Sequence, residues 1–402
     1  MRRAAWLLLL VFAFTIPWEY SLDLGAPLGN IARIAGLIAL VVFVPAVLQA
    51  GRIRVFGTLQ WLVLALFLWI CCTIFWTIDA DASLERIRAY AQVMMTVWLV
   101  WELVESADDL LDLMRAYVAG SWVLAVLTLA NFALQGTSGQ VRFVAEGQDP
   151  NDVARFLVLA LPMAALILHA DRRRWQQALA LGYLPVGLLS VLLTASRSGV
   201  LAACIALAGC GLLVRSHRRL LLAGLMGAPV LSAVFWFALP RGTIARLGTI
   251  PEQLAGGDLN QRLSIWAAGW KAFAEAPLFG SGAGTFVAAA GLARIDTAHN
   301  TALAVAVEGG AVALALALAV VAVAVDSVLR TRGSVRIALG TVLLVWLFTS
   351  LAATVEGNRS TWFLLALIAV AARLAIEEPT LSFRLEMRAP PAGAGSIPEP
   401  SA

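Results

Sequence analysis

The sequence is poor in charge and nearly devoid of lysine. Lys271 is the only lysine, so the formal net charge of +4 rests on arginine. Charged residues are 13% of the 402 and hydrophobic ones 61%, with a mean hydropathy of +0.85. A soluble protein of this length has too few charges here to cover its apolar surface. Cysteine is scarce as well. Cys71, Cys72, Cys204 and Cys210 all fall inside apolar runs. That placement excludes a disulfide framework or a zinc spacing and leaves them as small apolar side chains.

What the chain has instead is apolar runs long enough to cross a hydrocarbon core, which takes about 20 helical residues. We read about twelve spans by this length rule, at 4–18, 31–49, 55–78, 84–104, 110–134, 152–170, 176–195, 198–214, 220–239, 300–326, 335–353 and 360–376. The expected fold is all-α, a polytopic integral membrane protein with residues 1–376 as a single transmembrane domain. Residues 377–402, rich in proline, glycine and serine, are expected to be a disordered inward tail. Met1-Arg2-Arg3 and the run behind it imitate a signal peptide. Pro17-Trp18-Glu19 makes a poor cleavage site, so the run is read as a retained first span.

Basic residues scattered over short loops are topology signals before they are a nucleic-acid surface, and no nucleic-acid partner is expected. With the N-terminus inside, the inward connections hold Arg52 and Arg54, Arg172 to Arg174, Arg215 with Arg218 and Arg219, and Arg330, Arg332 and Arg336. The outward connections near Glu19, Asp79 and Asp81 are acidic, as the positive-inside rule requires. The inward run from Glu102 to Asp109 is acidic and breaks the pattern. Two outward connections are long, Gln135 to Asn151 and a loop at 240–298. Within the second, Asp258 and Gln261 have capping-box spacing. Leu263, Trp266, Trp270 and Phe273 then fall on one face of an amphipathic helix that Pro277 ends.

Against this frame a few polar residues stand out. His169 and His217 lie in inward arginine clusters and read as solvated loop residues. His299 lies at the outward mouth of a span, where a neutral imidazole can serve as a general base. Arg197, in Thr194-Ala195-Ser196-Arg197-Ser198-Gly199, sits where positive-inside logic disfavours it, and a guanidinium there suits an anionic head group or phosphate. Arg262 lies on the amphipathic helix. Glu356 and Arg359 share the last outward turn and can pair with each other. Glu308, about two turns into the span after His299, needs a partner at that depth. Gly280-Ser281-Gly282-Ala283-Gly284 resembles a phosphate loop, but no strand precedes it and no lysine follows it. A tight turn returning the amphipathic helix to the membrane is the better reading. The outward face shows no cage of carboxylates or histidines for a metal. Phosphate neutralisation there falls to arginines.

Four stretches in order carry a resemblance. They are Asp149-Pro150-Asn151-Asp152 with Leu161-Pro162, Ser196-Arg197-Ser198-Gly199, the run from Arg262 through Trp266, Trp270 and Pro277 to Phe286, and His299-Asn300 leading to Glu308-Gly309-Gly310. Together they resemble the O-antigen ligase and polymerase superfamily of bacterial envelope glycan transferases. The resemblance implies a GT-C-like, metal- and cofactor-independent glycosyltransferase, multi-pass in the bacterial inner membrane with its active site facing the periplasm. Its donor would be a glycan on undecaprenyl diphosphate, and its acceptor lipid A–core or another glycan or protein. Arg197 and Arg262 would hold the diphosphate and His299 would be the base, with Asn151, Asn300, Glu308, Glu356 and Arg359 in support. A reading from another class is a transporter of lipid-linked glycan. That would place polar residues near the bilayer midplane, with broken helices and internal repeats.

Overall fold

The structure, a computed structural model, describes residues 1–25, 29–51, 53–135, 139–170, 173–214, 237, 239–257, 261–293 and 297–377. Its helices are α1 (Arg2–Thr15), α2 (Ile31–Ala50), α3 (Thr58–Cys72), α4 (Ala80–Leu103), α5 (Ala107–Gln135), α6 (Pro150–Ala170), α7 (Arg174–Leu193) and α8 (Arg197–Val214). There follow α9 (Arg241–Gly248), α10 (Ile250–Leu254), α11 (Arg262–Glu275), α12 (Phe286–Ala289), α13 (Thr301–Arg330), α14 (Gly333–Ser350) and α15 (Arg359–Glu377). No strand occurs among the described residues, only one isolated bridge between Asp23 and Asn30.

Among the described residues nine helices are long and apolar enough to cross a membrane: α1 with the turn after it, α2, α3, α5, α6, α7, α13, α14 and α15. Three expected spans are not among them. α4 is long enough, but Arg86, Arg88 and Glu102 interrupt its apolar surface. α8 is apolar but short. The expected span 220–239 falls almost wholly outside the described residues, as do the tail beyond Glu377, Asp258 and His217.

Local chemistry sets the helix starts. Asn30, Asp79 and Asn300 cap α2, α4 and α13 by accepting the N–H groups of Arg33, Ala82 and Leu303. Asp149 accepts from the N–H groups of Asn151 and Asp152, with Pro150 in the first helical position of α6. α6 and α15 form the centre of the bundle. Every residue from Val153 to Ile167, and from Ser360 to Leu374, is buried. A helix that is apolar all round belongs inside its neighbours. α6 packs against α5, α7, α8 and α14, and α15 against α4 and α13. The free cysteines divide, with Cys210 buried and Cys72 and Cys204 exposed.

The connections sort onto the two ends of the bundle. At one end the segments around 20, 78, 145, 195, 245, 281 and 354 are laced together. Gln148 donates to Ser21 (2.7 Å), Ile78 N–H to Ser281 (3.0 Å), Phe143 N–H to Leu193 (2.9 Å), and the Thr243 hydroxyl to Val141 (2.7 Å). Thr301 donates to Ala353 (2.8 Å). At the other end Arg54 N–H donates to Glu102 and Trp101 to Val55. Here the acidic run that broke the arginine pattern meets Arg2, which pairs with Glu105 at 2.6 Å.

α13 is broken at Gly310, whose φ of 69° and ψ of −169° leave the helical region. The glycine run closes the break. Ser281 N–H donates to Val307 O and Gly282 N–H to Glu308 O, both at 2.9 Å, while the indole of Trp69 donates to Gly309 O at 2.8 Å. Beyond the break Ala311 N–H donates to Pro277 O at 2.8 Å. Backbone groups released inside a span must find such partners, because lipid offers none. The contact admits no side chain: a Cβ at Gly310 would lie 2.2 Å from Leu278 O, and one at Gly280 2.5 Å from the Glu308 backbone.

α11 carries the tryptophans but is seated by another face. Ile265, Gly269 and Ala272 are buried, whereas Leu263 and Trp270 are exposed. Gly269 is the contact point, since a Cβ there would press on Leu303 and Phe286 at 2.9–3.0 Å. The expected capping box is not what starts this helix. Gln261 precedes Arg262 in a left-handed conformation and makes no side-chain cap bond.

Candidate active site

Three non-glycine residues with positive φ occur among the described residues: Ala195, Gln261 and His299. Such residues are uncommon and persist where surrounding structure holds them. Each stands at a residue that the sequence singled out: Ala195 two before Arg197, Gln261 directly before Arg262, and His299 itself.

Arg197 and Arg262 come together. With Asn151, Ser198, Gln253 and Trp266 they line a cavity of about 220 Å³ at the interlaced end of the bundle. Two arginines missed in the sequence join them. Arg246, on α9, lines the same cavity, and Arg142 lies beside it in the connection before α6. The signal was available. Both sit in the two long connections that the arginine pattern reads as outward, where the argument that picked out Arg197 applies equally.

Backbone carbonyls position this cluster. Arg142 Nε donates to Thr194 O (3.1 Å) and Arg246 Nε to Ala195 O (3.2 Å). Arg197 Nε donates to Arg246 O at 3.4 Å. Asn151 fixes the turn ahead of α8, its Oδ1 accepting from the Ser196 hydroxyl (2.8 Å) and from Arg142 Nη2 (3.2 Å). No carboxylate lies within ion-pair distance of Arg142, Arg246 or Arg262 among the described residues. Asp149, occupied in capping α6, is the acidic group that acts on Arg142 and Arg262. Burial lowers the pKa of Arg142, Arg246 and Arg262, and their mutual repulsion, chiefly through Arg246 and Arg197, lowers it further. Guanidinium groups gathered around one cavity are able to bind an anion.

His299 lies beside this cavity rather than in its lining. Its backbone is clamped from both sides. Ala298 O accepts from the Trp266 indole at 3.0 Å, and Asn300 caps α13. The imidazole Nδ1 is 3.2 Å from the Thr297 hydroxyl, and Asp152 lies within electrostatic reach. A partner on Nδ1 orients the ring and sets which nitrogen is left to take a proton.

The remaining candidates form a separate group in which arginines and carboxylates pair. Glu308 is buried. Its carboxylate accepts the Gly284 N–H at 2.7 Å and faces Arg86 at 3.7 Å. The glycine run therefore does cradle an anion, and the anion is the chain's own carboxylate. Arg86 also pairs with Glu356 at 3.3 Å. The expected Glu356–Arg359 pair does not form. Arg359 instead bonds to Glu19 and to Gln92 (3.1 Å), because α15 turns it toward α1 and α4. Burial raises the pKa of Glu356 to about 7, partly offset by Arg86 and reinforced by Glu308. Arg155, also missed, is fully buried on α6. It pairs with Asp152 at 2.7 Å and donates to the amide oxygen of Asn358.

The fold and site define a polytopic, all-helical membrane protein with a basic cavity at one end. A protein-family model described as O-antigen ligase matches residues 179–318, from α7 into α13. Over that stretch, about a third of the chain, the sequence is similar to the O-antigen ligase superfamily. The matched stretch includes Arg197, Arg246, Arg262, His299 and Glu308. None of the curated proteins compared with the chain matches it.

Proposed function

We propose that the protein transfers a glycan from undecaprenyl diphosphate to a lipid A–core or similar acceptor at the periplasmic face of the bacterial inner membrane. The observation that carries this reading is the convergence of Arg142, Arg197, Arg246 and Arg262 around one cavity, with Asp149 acting on Arg142 and Arg262. A leaving diphosphate needs fixed positive charge nearby, already oriented before the reaction. His299 takes the proton from the acceptor hydroxyl. The hydroxyl oxygen attacks the anomeric carbon, the bond from that carbon to the phosphate oxygen breaks, and the lipid diphosphate leaves with the electron pair. Leu351 supports an amphiphilic donor, because it lines both the arginine cavity and an apolar cavity of about 220 Å³ beside Trp346, Leu347 and Trp362. That second cavity gives the isoprenoid somewhere to lie.

A transporter would also carry a broken helix, as α13 is at Gly310. Here the break is closed over by the chain's own glycine run, which favours the transferase. The test is reconstitution with undecaprenyl-diphosphate glycan and a lipid A–core acceptor. His299→Ala is expected to lower transfer by roughly 10²–10⁴-fold while donor binding persists. Unchanged transfer would remove His299 as the base.

A further inference from the structure

A third cavity, of about 230 Å³, lies between α1, α2 and α4. Its walls are mostly apolar, built from Phe12, Leu37, Leu40 and Leu99 among others, with Gln92 and Thr96 as polar exceptions, and Arg33 and Arg359 stand among its lining. The two guanidiniums differ. Arg359 is neutralised by Glu19. Arg33 makes no ion pair among the described residues, and its Nε is buried with no hydrogen-bond partner. A buried guanidinium nitrogen left unpartnered is costly unless something supplies an acceptor. Leu37 both lines the cavity and is 46% exposed, beside the exposed Ile38 and Val41 on the same helix. The cavity is therefore continuous with the apolar outer surface of α2. From Arg33 to Leu40 it follows about 10 Å of helix, with the charge at one end and apolar wall along the rest.

We propose that this cavity seats one phosphate-headed acyl lipid from the surrounding leaflet, its head group on Arg33 and part of an acyl chain between α1, α2 and α4. The seat is separate from the arginine cavity and does not depend on the transfer chemistry. An apolar chain fits a cavity that water would leave dry, and a phosphate supplies the acceptor that Arg33 Nε lacks.

The test is native mass spectrometry of the full chain in detergent, titrated with phosphatidylglycerol or with inorganic phosphate. Wild type is expected to retain one phosphatidylglycerol. Arg33→Gln is expected to weaken it about tenfold, the worth of one charged hydrogen bond. Ala91→Phe, which fills the cavity from α4, is expected to weaken retention with the melting temperature held. Arg262→Gln should leave retention as it is. Equal retention in wild type, Arg33→Gln and Ala91→Phe would overturn the proposal. So would release by Arg262→Gln alone, which would put the lipid in the arginine cavity, or inorganic phosphate binding as tightly as the lipid, which would leave no role for the chain.

Discussion

The two ends of the helical bundle both collect arginines and treat them differently. At the end where α4 meets α5, Arg2 pairs with Glu105 at 2.6 Å and Arg54 with Glu377 at 3.6 Å, and Arg373 donates to the Trp101 carbonyl at 2.7 Å. At the opposite end three arginines are likewise neutralised: Arg86 by Glu308 and Glu356, Arg155 by Asp152, and Arg359 by Glu19. Beside them Arg142, Arg197, Arg246 and Arg262 are held by backbone carbonyls or line a common cavity, and burial, with repulsion after it, depresses the pKa of Arg142, Arg246 and Arg262. Paired arginines hold elements together, whereas Arg142, Arg246 and Arg262 have no carboxylate within ion-pair distance among the described residues.

The comparison breaks most visibly at Arg86. Replacing it by glutamine leaves two buried carboxylates, Glu308 and Glu356, without their cation. Removing one partner of a buried pair costs about 3–5 kcal/mol. Arg86→Gln is expected to lower the melting temperature sharply, and Glu356→Gln in the same chain to restore part of it. A melting temperature unchanged by Arg86→Gln would mean that the trio does not hold α4, α13 and the last turn together.

A smaller effect is expected with pH. Glu356 has its pKa raised from 4.5 to about 7 by burial. The folded protein thus disfavours its ionised form. The stability this contributes is fully present below about pH 4.5 and is lost as pH climbs through 7. The melting temperature of wild type should fall across that window relative to Glu356→Gln, by the equivalent of roughly 3 kcal/mol once ionisation is complete. Parallel profiles for the two proteins would place the titration on another group.

The helical, many-span class could be read from run lengths alone, because apolar length is a local property of the chain. Arg197 and His299 were legible for a related reason: each violates or punctuates a pattern that the neighbouring spans establish. The partners were not. Arg359 reaches Glu19 and Gln92, and Arg86 reaches Glu356, across 340, 267 and 270 residues of sequence. Nearness in sequence pointed instead to a Glu356–Arg359 pair, which the direction of α15 forbids. Gly309-Gly310 was visible as a motif, but only the fold shows that it breaks α13 and that Gly280 to Gly284 closes the break. Arg142 and Arg246 were missed because arginines were weighed singly, where counting them along the two long connections would have added them to Arg197.

The finest test sets one arginine from each end side by side. Arg246→Gln removes a guanidinium from the basic cavity, and Arg2→Gln removes one from a half-exposed ion pair at the far end. Arg246 makes no ion pair among the described residues, and Arg197 repels it. Its loss should leave the melting temperature unchanged or slightly higher. Glycan transfer should fall about tenfold, one charged contact to the diphosphate being worth roughly 1.5–3 kcal/mol. Exposed pairs such as Arg2–Glu105 contribute about 0–1 kcal/mol, so Arg2→Gln should change neither transfer nor melting temperature measurably. Equal losses of transfer in both variants would show that total charge, and not its gathering around one cavity, is what the reaction uses.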